Sequence, residues 1–314
     1  MKYSFVLIAY NEENNIEACI DSILAQKQLG TSYEIIVLDD GSRDTTCTIV
    51  KELSKSNKRI KLITDGKNHG RGYGRYMGAK RSQGEYVIMV DADIILSKIW
   101  LQTCLKQITK YDIVGGIAVP DGDVAYTYRR FALKPKVVMG STTITGNNGM
   151  YRRDVFKRVG FDRNLREGED VAFNHQAIAA GVSEYCIPGL VVEHLESKSF
   201  STTMIWLYQS GVGATRQLLR FGVVRMPDIA FGVTFFASIG SVVGTTITGS
   251  VWWLIMPFML LLGVSLLHVS SKFQLSVFRL KSVLAILTDS ILILCYYIGR
   301  LIGFYMYHAK KLVD

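Results

Sequence analysis

Two carboxylates one residue apart, Asp91 and Asp93, stand where the apolar run Tyr86 to Val90 ends. A buried strand that leaves the core and delivers two aspartates at its carboxyl end puts hard oxygen donors where open α/β sheets bind ligands. Such donors suit Mg²⁺ or Mn²⁺ carrying the phosphates of a nucleotide. A bare Asp-x-Asp is more often a solvated turn, so its meaning depends on the residues that accompany it. A second acidic cluster, Glu167-Gly168-Glu169-Asp170, offers a proton acceptor. It also suits the cap of a helix over Val171 to Ala180, because carboxylates favour a helix N-terminus, and the two roles are compatible.

The elements that must position these groups follow from the hydrophobic pattern. Tyr3 to Ala9 reads as a buried strand running into the polar turn Tyr10 to Glu13, and Asn15 to Ala25 carries apolar residues at helical spacing. Glu34 to Leu38 reads as a second strand, ending in Asp39-Asp40-Gly41-Ser42, with a helix from Asp44 to Leu53 after it. Ile60 to Ile63 is a third strand leading to Lys67-Asn68-His69-Gly70, and Gly72 to Ser82 is another helix. Strand alternating with helix predicts an α/β domain whose parallel sheet is covered on both faces. The polar residues after each strand then converge on one edge.

In order and spacing, Ala9-Tyr10-Asn11-Glu12-Glu13, Leu38 to Asp44, Asn68-x-Gly70 with Arg75 and Gly78-Ala79, Gly84-Glu85-Tyr86 and Asp91-x-Asp93 resemble the family 2 glycosyltransferases. The resemblance continues through Gly146-Asn147-Asn148-Gly149 to Arg153, Val159 to Asp162, Glu167 to Val171 and Val192-Glu193-His194, and covers residues 1–200. It implies an inverting enzyme with a GT-A, Rossmann-like nucleotide-diphospho-sugar transferase fold. Asp93 is then a metal ligand, Asp91 holds the ribose or reaches the metal through water, and His194 approaches the metal or diphosphate. Mg²⁺ or Mn²⁺ would favour departure of the nucleoside diphosphate as a Lewis acid.

The nucleotide itself falls to Ala9, Tyr10, Glu12, Asp39, Asp40, Asn68, Arg71, Arg75 and Asp91. A carboxylate can accept the uracil N–H, so a uridine nucleotide is the default donor. For Arg75 a solvated helix face is the competing reading. Asp170 matches the family's base, which takes the proton of the acceptor hydroxyl, with Glu169 orienting the acceptor or the loop. Gly146, Asn147 and Asn148 are candidate acceptor contacts. Gln217 and Arg220, in Gln217-Leu218-Leu219-Arg220-Phe221, resemble the Gln-x-x-Arg-Trp signature of processive synthases. Phe221 replaces the Trp that caps the acceptor, which argues for transfer of a single sugar.

The last third of the chain differs in character. Ile229 to Ile247 and Val251 to Val269 lack charge and have the length a bilayer requires, while Val283 to Tyr307 is long enough but holds Asp289 and Arg300. The expected division is a catalytic domain over 1–200, an interfacial amphipathic segment over 201–228, and two or three transmembrane helices over 229–307. Trp206, Tyr208 and Phe221 would anchor the interfacial helix Phe200 to Phe221 among headgroups. Arg216, Arg220 and Arg225 place the N-terminal domain on the cytosolic face by the positive-inside rule. Lys310 and Lys311 disagree if all three runs cross, so either the short tail is tolerated outside or the third run does not fully cross. Gly240-x-x-x-Gly244 and Gly299-x-x-x-Gly303 are candidate sites of close helix packing.

The net charge of +9 fits a protein on an anionic membrane face and requires no nucleic acid. No secretory leader is expected, because Glu12 and Glu13 stand where a cleavage site would be. The five dispersed cysteines lack metal-ligand spacing and read as reduced. The sequence therefore predicts a membrane-anchored transferase moving one sugar to a lipid or lipid-linked acceptor. Its enzymatic rival is a polyprenyl-phosphate sugar synthase, favoured by the Arg129-Arg130 and Arg152-Arg153 pairs and disfavoured by Glu169-Asp170. A catalytically silent membrane scaffold that binds nucleotide sugars would be credible if a motif carboxylate were missing, and none is. Donor sugar, acceptor and oligomeric state are left open.

Overall fold

The computed structural model describes residues 1–119, 126, 130–131, 144, 146–195, 199–273 and 280–311. The chain divides into two units, Met1–Asp121 with Val138–Glu196, and Gly122–Val137 with Ser197–Asp314.

The first unit is built on strands β1 (Tyr3–Ala9), β2 (Tyr33–Asp39), β3 (Ile60–Ile63), β4 (Tyr86–Asp91), β5 (Ile94–Ile95), β6 (Ile113–Val119), β7 (Asn148–Arg152) and β8 (Glu184–His194). All seven residues of both β1 and β2 are buried, as strands covered on both faces must be. They form one sheet in the order β3-β2-β1-β4-β7-β6-β8-β5. Strands β1 to β4 are mutually parallel, as expected, but β7 runs antiparallel to both β4 and β6. The sheet is therefore mixed and not wholly parallel as the strand–helix alternation predicts.

Helices α1 (Ile16–Leu24), α2 (Thr46–Ser56), α3 (Arg71–Arg81), α4 (Trp100–Gln107), α5 (Val155–Arg158) and α6 (Glu169–Ala179) complete this unit. One apolar cluster gathers Phe5, Leu7, Ile35 and Val37 with Ile16, Ile20 and Trp100, and a second gathers Val6, Ile8, Ile36 and Leu38 with Phe161 and Phe173. Alternate residues of β1 and β2 thus feed opposite faces, the two-residue period of a strand. Strand order reverses between β1 and β4, and such a switch point opens a crevice at the strands' carboxyl ends. Ala9, Asp39 and Asp91 close β1, β2 and β4, in register as Ala9 beside Asp39 and Ile8 beside Asp91.

The second unit is helical: α7 (Phe200–Phe221), α8 (Met226–Thr248), a short 3₁₀ turn (Val251–Leu254), α9 (Ile255–Lys272) and α10 (Leu280–Lys311). Helix α7 begins at Ser199, whose side chain accepts from the Thr202 N–H, and ends at Gly222 in the left-handed conformation, both regular caps. Met226–Thr248, Val251–Lys272 and Leu280–His308 are long and apolar enough to cross a membrane.

Helix α7 differs from the expected interfacial segment because one of its faces packs directly on α10. A Cβ on Gly299 would stand 2.0 Å from the Tyr208 carbonyl oxygen, one on Gly211 would stand 2.2 Å from that of Tyr296, and one on Gly303 would meet Thr215 at 2.8 Å. The Gly299-x-x-x-Gly303 pair thus serves contact with α7, while Gly244 receives the Trp253 ring and Gly240 faces open space. All five cysteines are free thiols.

Candidate active site

The carboxyl edge of the first unit's sheet gathers most of the expected residues. Asp91 ends β4, and Asp93 lies two residues on, before β5. Strand β5 pairs antiparallel with β8 so that Ile94 faces His194, and the Asp93 backbone C=O accepts from the Leu195 N–H at 2.7 Å. This register brings His194 Nε2 to 3.0 Å from Asp93 Oδ2. Glu12, from the turn after β1, belongs to the same electrostatic group. Burial and the neighbouring Asp93 push its pKa up to about 7, against the Asn15 amide hydrogen bond that draws it down.

Arg75 corrects the reading of α3. It is neither a solvated residue nor open to a base or phosphate; it is 1% exposed. Its Nε donates to Glu169 at 2.8 Å, its Nη2 to Asp91 at 2.8 Å and its Nη1 to the Gly146 carbonyl oxygen. Burial opposes a charged guanidinium, but Asp91 and Glu169 outweigh it and hold the Arg75 pKa above its usual value. One buried cation thus ties the Asp-x-Asp strand to the Glu169-Asp170 loop and to the segment before β7. A Cβ on Gly146 would lie 2.8 Å from Arg75 Cζ, so a side chain there would have to displace the guanidinium.

Glycine also lets the acidic loop approach α3. A Cβ on Gly72 would collide with the carbonyl oxygens of Leu165 and Asp162 at 2.3 and 2.4 Å. Arg71 Nη2 pairs with Glu167 at 2.5 Å, and Arg166 Nη2 donates to Asn68 Oδ1 at 3.0 Å. Glu169 and Asp170 occupy the first turn of α6 behind Gly168, which is left-handed at φ 73°. Asp170 is partly exposed and lies 3.4 Å from the Gly146 N–H. Asp170 thus sits at a helix end and also borders the carboxyl edge of the sheet beside Gly146.

Asp39 and Asp40 shape the neighbouring cleft. Asp39 accepts from Gly41 N at 3.2 Å and Thr64 Oγ1 at 3.0 Å, and Asp40 from His69 N at 2.7 Å and Gly70 N at 3.0 Å. Burial raises the Asp40 pKa against those bonds. The two carboxylates organise their loops and, with Thr64, His69 and Tyr73, line one cleft. Ala9 is buried at the end of β1, and Tyr10, 45% exposed, stands beyond it. Thr64, Tyr73 and Arg166 carry no signal of this kind in the sequence; the tilted contact of His69 with Tyr73, ring centroids 4.4 Å apart, had only the i, i+4 spacing as a signal.

The candidate acceptor contacts divide between the two units. Gly146 and Asn147 stay at the edge, where the Asn147 C=O accepts from Asp91 N at 3.2 Å. Asn148 is fully buried, with its Oδ1 accepting from Gly116 N at 2.7 Å, so it holds β6 to β7 and is closed to an acceptor. Gln217 and Arg220 are on α7 in the second unit. Gln217 is buried there and Arg220 lies over the Phe221 ring.

Arg152 and Arg153 are also misplaced for a lipid phosphate. Arg152 pairs with Tyr86 at the far end of β4 from Asp91, roughly 17 Å away at strand rise. The Arg153 guanidinium donates to the carbonyls of Gly84 and Ser82. Arg129 lies outside the described residues.

Among the described residues no three His, Cys, Asp or Glu side chains form a metal cluster. A magnesium- or manganese-type site needs few protein ligands when substrate phosphates supply the rest. The Asp93 carboxylate beside the His194 imidazole is a donor set of that kind, and the residues fit the ion.

The glycosyl transferase family 2 model matches residues 4–160, half of the chain. Glycosyltransferase AglE of Haloferax volcanii is 28% identical over 57% of this chain and 62% of its own length. A dolichyl-phosphate beta-glucosyltransferase of Trichomonas vaginalis is 38% identical over 29% of this chain and 28% of its own. The chain thus spans less than two thirds of these curated relatives. Among solved structures, a mannosyltransferase of Pyrobaculum calidifontis in complex with GDP-Man and Mn²⁺ superposes with a TM-score of 0.61 at 16% identity, covering 96% of this chain and 87% of its own. At that identity the likeness speaks for the GT-A fold.

Proposed function

The chain belongs to glycosyl transferase family 2, and on that premise we propose that it moves a single sugar, with inversion, from a nucleoside-diphosphate donor to the hydroxyl of a lipid or lipid-linked acceptor. One observation carries the reading: Arg75 joins Asp91, on the donor side, to Glu169, beside the proposed base, within one buried network. The donor side and the base side would then be held at a fixed separation, as an in-line displacement asks of its enzyme.

In this reading the Asp40 and Thr64 cleft takes the base, with a carboxylate accepting the uracil N–H. Asp93 and His194 would hold Mg²⁺ or Mn²⁺, whose positive charge favours departure of the diphosphate. Asp170 accepts the proton of the attacking hydroxyl, while Glu169, tied to Arg75, fixes the loop that carries it. Gly146 and Asn147 border the acceptor. The lipid acceptor is supported by the three apolar helices, and a place on the cytosolic face by the arginines before α8.

The polyprenyl-phosphate reading has support of its own in the dolichyl-phosphate relative, and an already anionic acceptor would make Asp170 dispensable. The test is to give the purified full chain, with Mn²⁺, a panel of UDP-, GDP- and dTDP-sugars and to measure nucleoside diphosphate release. Release from one UDP-sugar, abolished by chelation, is expected. Metal-independent release, or a preference for GDP-sugars, would overturn the cofactor or the uridine assignment respectively.

A further inference from the structure

Gly249 and Ser250 join the end of α8 to the turn before α9, so the start of α8 and the end of α9 form the open end of a hairpin. Helix α10 touches the start of α8: Arg300 Nη1 is 3.1 Å from Asp228 Oδ1, Arg225 Nη2 donates to the Tyr296 hydroxyl at 3.1 Å, and the Tyr297 ring meets Phe231 at 5.3 Å. It also touches the last two turns of α9: Ala285 packs with Val269 and Phe273, Asp289 pairs with His268 at 3.1 Å, and Ser290 Oγ donates to Ser265 Oγ at 2.9 Å. On a helix running alongside the hairpin, partners at one level of the legs would share one level. Here Ala285 and Arg300 are about fifteen residues apart, or about 22 Å of helix, so α10 runs across the open end from leg to leg.

We propose that α10, despite its length and hydropathy, does not cross the bilayer but lies in the headgroup layer at the base of the α8–α9 hairpin, and that its partner is the lipid surface. Leu284, Leu287, Ile291, Leu294, Ile298 and Leu301 recur every three or four residues and are each 43–48% exposed, the apolar stripe of an in-plane helix. The charges agree. No Lys or Arg occurs between Met226 and Ser271, so both hairpin legs and the turn with Trp252 and Trp253 are free of positive charge. Arg216, Arg220, Arg225, Lys272, Lys281, Lys310 and Lys311 then all stand on one face, and the positive-inside rule holds without exception. The packing of Gly299 and Gly303 on Tyr208 and Thr215 keeps the ends of α7 and α10 at one level. Asp289 and Arg300 are relieved of the hydrocarbon centre, where an ionised side chain is expensive.

This inference is independent of sugar transfer. Its test uses the full chain, tagged at both termini, in sealed membrane vesicles of either orientation, with seal checked by a lumenal marker. Protease should remove both tags in the same orientation. A Ser250→Cys variant should gain label from an impermeant maleimide, above the wild-type background, only in the opposite orientation. Removal of the two tags in opposite orientations would mean that α10 crosses. Labelling of Ser250→Cys from the tag side would mean that the hairpin does not cross, and either result overturns the proposal.

Discussion

Asp93 and His194, 101 residues apart in sequence, stand 3.0 Å from each other because a two-residue strand after the Asp-x-Asp pairs with the last residues of β8. Neither group supplies a metal site alone. Their meeting joins the motif at the end of β4 to the last strand of the same sheet.

Replacing either partner should therefore cost metal-dependent donor binding. Asp93→Ala and His194→Ala are each expected to weaken UDP binding in the presence of Mn²⁺ by tenfold or more, about 1.4 kcal/mol, and to leave metal-free binding unchanged. Calorimetry with and without Mn²⁺ checks this. Unchanged affinity in both variants would remove the pair from the metal.

Asp170→Asn should slow transfer by at least about a hundredfold, the usual worth of a positioned proton acceptor, with nucleotide binding retained. The comparison is initial rate against UDP affinity for the same preparation. Near-normal turnover would transfer support to an anionic, phosphate-bearing acceptor.

Removing Arg75 leaves Asp91 and the buried Glu169 without their shared cation. Breaking a buried pair from one side costs about 3–5 kcal/mol, so Arg75→Met is expected to lower the unfolding midpoint strongly. Arg75→Lys should recover little, because one ammonium cannot reproduce three divergent donors in a plane. A urea titration of both variants decides this, and a Lys variant as stable as the wild type would contradict the clamp.

The close approach of α7 to α10 predicts that Gly299→Leu disrupts the helical unit. A leucine there must displace the Tyr208 carbonyl by more than 1 Å, since even its Cβ would stand at 2.0 Å. Gly240→Leu, on an open helix face, is the control. Retention of monodisperse, protease-resistant protein in detergent should fall for the first and hold for the second.

Burial alone pushes the Glu184 pKa up to about 7 from 4.5. A carboxyl raised in the folded state keeps its proton while the unfolded chain releases it, so stability is full below pH 4.5 and falls as pH rises toward 7. Glu12, also about 7, adds to the same slope. Thermal midpoints between pH 4.5 and 7 should decline in the wild type, less in Glu184→Gln, and least with Glu12→Gln added. A flat wild-type profile would show that both carboxylates ionise normally.

The sequence by itself determined the strand-helix alternation of residues 1–90, the carboxylates at the strand ends and the apolar helices after Arg225. These are local properties: a two-residue or 3.6-residue period, a turn residue after a run, a length sufficient for a bilayer. The tertiary structure decided whatever depends on partners distant in sequence. Arg75 looks the same on paper as a solvated helix arginine, and only the 94-residue step to Glu169 turns it into a buried clamp. Asn148 sits in a motif that suggests an acceptor contact, yet the β6–β7 pairing closes over it. Asn148–Arg152 reads in the sequence as part of a motif and not as a strand, and strand periodicity is blind to sense, so a mixed sheet reads as a parallel one. Hydropathy measures how apolar α10 is, whereas the Arg300–Asp228 and Asp289–His268 pairs record where it lies. Composition records how apolar a helix is; contacts between helices record which elements it lies against.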